Sequence, residues 1–239
     1  MKAWIFEETG QPLKRVERDD PEPADGEVVV ELRAAGLNRR DYWITQGMYP
    51  GLRSGVVVGS DGAGEVVATG DGVDSTLTGK AVLVDPGMEW GDDAAAQSDD
   101  YHILGMPRDG VLAERVAVPA DRVHEKPDFL NWAETAALPV AGVTAYRAAF
   151  SRGGLKKDER VLITGIGGGV ATMALLFAVA AGAEVWVTSS SEEKIDRAVR
   201  LGARGGFDYT EAEWGEAMKD RAGRPSLIID SAGGPDQEP

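Results

Sequence analysis

The 239-residue chain contains no cysteine, which removes disulfides, thiolate nucleophiles and cysteine metal sites at once. Histidine is nearly as scarce, with only His102 and His124, which leaves little material for a zinc centre or a histidine-based triad. Positive charge is also short: 25 Lys and Arg stand against 40 Asp and Glu, a net charge of -15. Nucleic acid and anionic membrane surfaces are therefore excluded as expected partners. No apolar run reaches membrane-spanning length, since "MALLFAVAAGAEVWV" is cut by Gly182 and Glu184. The opening "MKAWIFEETG" lacks the apolar core of a secretion signal. A soluble cytoplasmic protein is the expectation.

What the chain has in quantity is glycine, 31 residues spread through turns rather than gathered in a tract. Up to about residue 125, short β-rich runs such as "GEVVVELRAAG" and "SGVVVGSDGAGEVVATG" alternate with Gly, Pro and Asp. In "EVVVELR" the pattern leaves open which face is buried. "RRDYWITQG" predicts one short helix ending at Gly47, and the acidic stretch between Asp85 and Gly110 a surface lobe. From about 126 the rhythm changes. Pro139 breaks a small-residue helical stretch, and then strands and helices alternate, which predicts a parallel sheet with helices on both faces. The expected domains are 1–125 and 126–239.

The stretch "LITGIGGGVATMAL" carries the chemistry. A strand, the turn Gly165 to Gly169 and a helix from Val170 form the unit that aims backbone amides at a pyrophosphate. The spacing is Gly165-x-x-Gly168-x-x-Ala171, a variant of G-x-G-x-x-G in which small Ala171 allows close helix packing. An ordinary βα turn is the competing reading, and the βαβ context raises the phosphate reading above it. At the end of the next strand the chain reads "VWVTSSSEEK", with hydroxyls and Lys194 where an NAD site places an acid. That favours NADPH, with NADH as the alternative because Glu192 and Glu193 oppose a phosphate. Ser189 or Ser190, followed three residues on by Glu, also reads as a capping box.

Six stretches together, "AAGLNRRDYWITQGMYPG", "VVVGSDGAGEVVATGDGV", "DGVLAERVAVPADRV", "ALPVAGVTAYRA", "VLITGIGGGVA" and "DSAGG", resemble the medium-chain dehydrogenase/reductase superfamily on its zinc-independent, quinone-oxidoreductase-like side. The resemblance implies an α/β protein: an N-terminal GroES-like β-barrel domain and a Rossmann domain. It implies Asn38 and Thr144 as cofactor contacts, and Gly165, Gly168, Gly169, Val170 and Ala171 at the pyrophosphate. Ser190, Lys194 and Tyr209 would meet the adenosine 2′-phosphate, and Ser231 and Ala232 would lie where the cofactor passes. Tyr42 or Tyr49 would supply a substrate-side hydroxyl, beside Trp43. Zinc-using relatives carry a cysteine where this chain has Asn38, and a His-Glu pair where it has Ser60 and Asp61, so no metal is expected. The implied activity is NADPH-dependent reduction of a quinone, enone or enal, with a homodimer as the assembly the family allows. Only four strands precede "DSAGGPDQEP" where a Rossmann sheet has six. That points to a truncated chain, and to a cofactor binder without turnover as the alternative.

Overall fold

The computed structural model describes residues 1–232 and divides the chain into two compact units, Met1–Val140 and the residues from Ala141 onward. The division falls beyond the expected boundary at 125/126. Residues 126–140 differ in rhythm from the strands before them, but their helix packs on the first unit's sheet.

The first unit is built on strands. The hairpin-like pair β1 (Lys2–Ile5) and β2 (Lys14–Glu17) is antiparallel. The main sheet uses β3 (Glu27–Gly36), β4 (Asp61–Thr69), β5 (Ala81–Val84), β8 (Arg115–Pro119) and β9 (Val123–Glu125), in the order β8-β3-β4-β5-β9, all antiparallel. The small ribbon of β6 (Gly87–Met88) and β7 (His102–Ile103) lies between β5 and β8 in the chain. Strand alternation settles the face left open by the sequence. Val28 and Val30 enter the core with Val66, Val82, Val84, Val116 and Val118, and register shifts in β3 mark irregular pairing with β4. The stretch between Asp85 and Gly110 is only partly the surface lobe expected. Residues 91–97 are exposed, but Met88, Leu104 and Met106 are buried and fill two apolar clusters.

Two short helices belong to this unit. Helix α1 (Arg39–Thr45) begins at the N-cap Asn38 and is followed by Gly47 at a positive φ of 76°, where a helix exit favours glycine. Helix α2 (Trp132–Ala136) is held by a capping box between Asn131 and Glu134 and packs on β3 and β4. The break expected at Pro139 is present: α3 (Pro139–Tyr146) starts there, with proline at the first helical position, and runs into the second unit. It continues as a π-helical turn over Arg147–Arg152, which the sequence pattern did not foretell.

In the second unit the strands β10 (Arg160–Ile163), β11 (Glu184–Ser189), β12 (Gly205–Asp208) and β13 (Leu227–Ile229) form a parallel sheet in the order β12-β11-β10-β13. Connections through α4 (Gly169–Ala180), α5 (Glu192–Arg200) and α6 (Trp214–Ala222) supply the crossovers that parallel strands need. Val161, Ile163, Val185 and Val187 bury one face against Ala171, Ala174, Leu175 and Ala178 of α4, spaced as one helical stripe. Leu162, Trp186 and Phe207 face the other way, onto Trp214, Ala217 and Met218 of α6. Helices therefore cover both faces, as the alternation predicts. Among the described residues, no helix is long and apolar enough to cross a membrane.

Candidate functional site

At the C-terminal end of β10 the chain makes its glycine turn. Gly165 and Gly167 have φ of 61° and 112°, values that side chains with a Cβ rarely adopt. The space is also closed to a Cβ. At Gly165 it would sit 2.7 Å from Ala232 Cβ, and at Gly167 it would sit 2.9 Å from Lys194 Cδ. The turn is fixed from β11: the Gly165 amide donates to Thr188 Oγ1 at 3.2 Å, and the Ile166 amide to the Thr188 carbonyl at 2.8 Å. Buried Thr188 is thus spent on the scaffold, a role its place in the "TSSS" run did not announce.

The turn feeds α4, whose N-cap is Gly168. Gly168 brings no side chain to the first-turn amides, which lie outside the helical hydrogen-bond ladder. These amides and the positive end of the helix dipole are the elements of an anion site. Ala141 of α3 lies close by: a Cβ on Gly169 would be 3.3 Å from its own Cβ. Thr144, one turn further along α3, is exposed.

Of the three residues assigned to the adenosine end, two meet. Exposed Tyr209 donates from its hydroxyl to Ser190 Oγ at 3.2 Å, joining the ends of β11 and β12. The Lys194 stem crosses Gly167, and among the described residues its ammonium enters no ion pair. The capping reading needs correction. Ser191, not Ser189 or Ser190, caps α5, accepting from the Lys194 amide at 3.4 Å, and the third helical residue is therefore Lys194 rather than a glutamate. Ser190 is left with its hydroxyl at the surface. On the other side of the turn, Asp230 accepts from the Thr164 hydroxyl at 2.5 Å and from the Ala232 amide at 3.0 Å, which holds Ala232 against Gly165. Ser231 beside it is exposed.

The first unit holds a different kind of site. Asp61, at the start of β4, is 2% exposed. Its Oδ1 accepts from the Val140 amide at 2.9 Å. Asn38 Nδ2 donates to buried Ser60 Oγ at 3.2 Å. Burial raises the Asp61 pKa to about 6, with Asp41 adding to the rise and the Asn38 side chain, the Val140 amide and the charge of Arg40 opposing it. Asp41 closes the head of α1 by accepting the Asn38 amide at 2.8 Å, and burial raises its pKa as well. Arg40, almost wholly buried, donates to the Leu104 carbonyl at 2.8 Å and stands 3.8 Å from Asp41. Nothing in the "NRRD" pattern marked Arg40 as an interior residue.

The two candidate tyrosines separate. Tyr49 lies under the Arg40 guanidinium, 4.7 Å from its ring centre, and its hydroxyl accepts from Arg40 Nε at 3.3 Å. It is packed with Phe6, Ile44, Val58 and Met106, so its hydroxyl is engaged in structure. Tyr42 is half exposed and meets Trp43 edge-on, 5.1 Å between rings. His102 turns Nδ1 to the Asp100 carbonyl and buries Nε2 without a partner, and His124 is exposed on β9.

The donor set around Asp61 does not fit zinc. A single carboxylate, with an amide and a hydroxyl already bonded to each other, lacks the nitrogen and sulfur donors of tetrahedral sites. Among the described residues, no group of three His, Cys, Asp or Glu converges to hold a metal. The glycine turn, by contrast, fits a dinucleotide: its φ values, the closed Cβ positions and the uncapped helix belong together.

Comparison with known proteins finds two family matches along the chain. Residues 24–128 match the family model described as "Alcohol dehydrogenase GroES-like domain", and residues 169–238 the one described as "Zinc-binding dehydrogenase". The "Zinc-type alcohol dehydrogenase-like protein YogA" of Leptosphaeria maculans is 38% identical over 93% of this chain and 67% of its own length. "Crotonyl-CoA reductase" of Streptomyces avermitilis is 32% identical over 87% of this chain and 53% of its own. A crystal structure titled "NAD-dependent alcohol dehydrogenase" superposes with a TM-score of 0.91 at 34% identity, covering 98% of this chain and 71% of that one. The chain belongs to the medium-chain dehydrogenase/reductase superfamily, a family of oxidoreductases. It spans between 53% and 67% of the length of these two curated relatives.

Proposed function

We propose that this chain binds NADPH at the glycine turn and transfers hydride to a quinone or to an activated alkene such as an enone or enal, without a metal. The observation that carries the reading is the Ser190–Tyr209 hydroxyl pair just past the ends of β11 and β12, with the Lys194 stem crossing Gly167 as the nearby cation. Hydroxyl donors and a cation are what a 2′-phosphate requires, and no carboxylate ends β11 to accept a 2′-hydroxyl. NADH is the second reading. It is favoured by Glu192 and Glu193 in the first turn of α5 and by the "NAD-dependent" title of the solved relative.

Each residue then has a task. The amides of Gly169, Val170 and Ala171 receive the pyrophosphate, and Gly165 and Gly168 let its backbone come close. Ala232 and Ser231 border the path of the cofactor, and Thr144 offers a hydroxyl from α3. When bound, the nicotinamide supplies the hydride that goes to the electrophilic carbon of the substrate. The chain's contribution is orientation and donors for the developing oxyanion. Asn38 serves the nicotinamide side. Tyr42, with its hydroxyl exposed, is a better proton source than Tyr49, whose hydroxyl Arg40 holds. The name of the crotonyl-CoA relative supports alkene reduction as the reaction type. The lack of a fitting metal site around Asp61 supports substrates that need no Lewis acid.

The test is NADPH consumption followed at 340 nm with a benzoquinone and with an enone as acceptors. Turnover with either establishes the reading. Saturable NADPH binding without turnover assigns the chain to the non-catalytic alternative.

A further inference from the structure

We propose that Thr188, near the end of β11, is a positioning residue for the cofactor pyrophosphate: it takes up the first amides of the glycine turn and so leaves the later ones turned outward to bind phosphate.

Every amide of the turn needs an acceptor in the protein, in water or in a ligand. The Thr164 amide donates to the Ile229 carbonyl at 3.1 Å, on the β13 side. The next two go to one residue on the β11 side: Gly165 to Thr188 Oγ1 at 3.2 Å and Ile166 to the Thr188 carbonyl at 2.8 Å. Gly168 bonds back to the Gly165 carbonyl at 3.4 Å, and Thr172 starts the α4 ladder by donating to the Gly168 carbonyl at 2.9 Å. Among the described residues, the amides of Gly169, Val170 and Ala171 are left without an acceptor. The turn thus divides into amides spent inward and amides kept for a ligand.

The Thr188 hydroxyl decides where the division falls. The Ile166 bond uses the backbone and would survive any side chain at 188, whereas the Gly165 bond exists only because a hydroxyl stands there. Thr188 is 2% exposed, so the acceptor is fixed within the sheet. Gly165 has little room to turn elsewhere: it holds a φ of 61°, and its Cβ position lies 2.7 Å from Ala232 Cβ. The Gly168 amide hangs on the Gly165 carbonyl, so the residue that Thr188 fixes also sets where α4 begins. Ser190, two residues on, meets Tyr209, and one strand end then serves both the 2′-phosphate and the pyrophosphate. The inference rests on the reading above that the turn binds a dinucleotide.

The experiment has two readouts. The first is amide hydrogen exchange by NMR in the cofactor-free wild type, corrected for intrinsic rates. Gly165 and Ile166 are expected to exchange at least about tenfold more slowly than Gly169, Val170 and Ala171, and NADPH should protect that second group. A Gly165 amide that exchanges as fast as those at the helix start overturns the proposal, whatever the cofactor does. The second readout is affinity for NADPH and for adenosine 2′-phosphate, which has no pyrophosphate. T188V keeps the branched shape and deletes the hydroxyl, and T188S keeps the hydroxyl and deletes the methyl. T188V is expected to weaken NADPH about tenfold and adenosine 2′-phosphate less than about twofold, with T188S within about threefold of wild type for both. Unchanged NADPH affinity in T188V, equal weakening of both ligands, or T188S as weak as T188V overturns the proposal, the last two by placing the effect in packing. If T188V does not fold, wild-type exchange and T188S decide. A wild type that binds neither ligand sinks the dinucleotide reading and the pyrophosphate role with it, while the exchange pattern still shows whether Thr188 sets the turn.

Discussion

Asp61 and Lys194 are both charged side chains beside backbone amides, yet one is sealed in the interior and the other lies in solvent. Around Asp61 the hydrogens of Asn38 and Val140 already have protein acceptors, and Ser60 and Arg40 are tied in as well. The arrangement leaves almost nothing to offer a ligand, and it costs energy to keep a carboxylate there. Around the glycine turn the opposite holds. The helix start is uncapped, the Ser190 and Tyr209 hydroxyls bond to each other, and Lys194 is exposed. A polar cluster that satisfies itself builds a scaffold, whereas one that leaves donors over is ready to receive an anion. The contrast explains why the second unit carries the clearer functional signal, although the first holds the more perturbed ionisable group.

The most direct way to break that contrast is to fill the open turn. Gly167→Val puts a β-branched side chain at a φ of 112° and drives its Cβ into the Lys194 stem. NADPH binding is expected to fall by at least about a hundredfold, measured by fluorescence titration, an amount set by strain plus the lost approach to phosphate. A loss below threefold would mean the turn does not contact the ligand.

Next in size is the pH dependence of the sealed carboxylate. Its folded pKa of about 6 lies above the reference 3.8, so between these values the folded chain keeps a proton the unfolded chain has released. Stability from Asp61 is therefore fully present below about pH 4 and is lost as the pH rises through 6. Two pKa units correspond to about 3 kcal/mol, an upper bound here. Urea denaturation at pH 4.5 and pH 7 should show a difference in D61N that is smaller than in the wild type by about 2 kcal/mol. A D61N chain with the same pH slope as the wild type would refute the burial explanation.

Smaller effects sharpen the open site. Lys194→Met keeps the apolar stem over Gly167 and removes the charge. NADPH affinity should fall about tenfold, with NADH unchanged and the difference shrinking as salt rises. Equal loss for both cofactors would assign Lys194 to packing. Tyr209→Phe deletes the hydroxyl that meets Ser190, and a two- to fivefold loss for NADPH alone is expected, the scale of one hydrogen bond.

Much of this was legible because local rules and tertiary packing agree. The four parallel strands, the break at Pro139 and the turn from Gly165 to Gly169 follow from pattern and punctuation alone. Tyr209 and Ser190 meet because residues at the ends of adjacent parallel strands share one edge of the sheet. What escaped depends on contacts far apart in the chain. The polar cluster of Asn38, Ser60, Asp61 and Val140 is joined by sheet pairing and the start of α3, and no local spacing encodes it. Arg40 is buried because backbone carbonyls of residues 103 and 104 await it, which the sequence around it cannot show. The cap falls at Ser191 rather than at Ser189 or Ser190 because three serines in a row each satisfy the local rule. The unit boundary moved for a related reason: composition changes at 126, but packing changes only after Val140.

The central claim is that the open turn selects a 2′-phosphorylated dinucleotide, and parallel fluorescence titrations of the chain with NADPH and NADH test it most directly. Saturable binding of both, with NADPH tighter by about tenfold or more, is the result expected from Ser190, Lys194 and Tyr209. Equal affinities would contradict the selection, and no saturable signal from a folded chain would contradict the site itself.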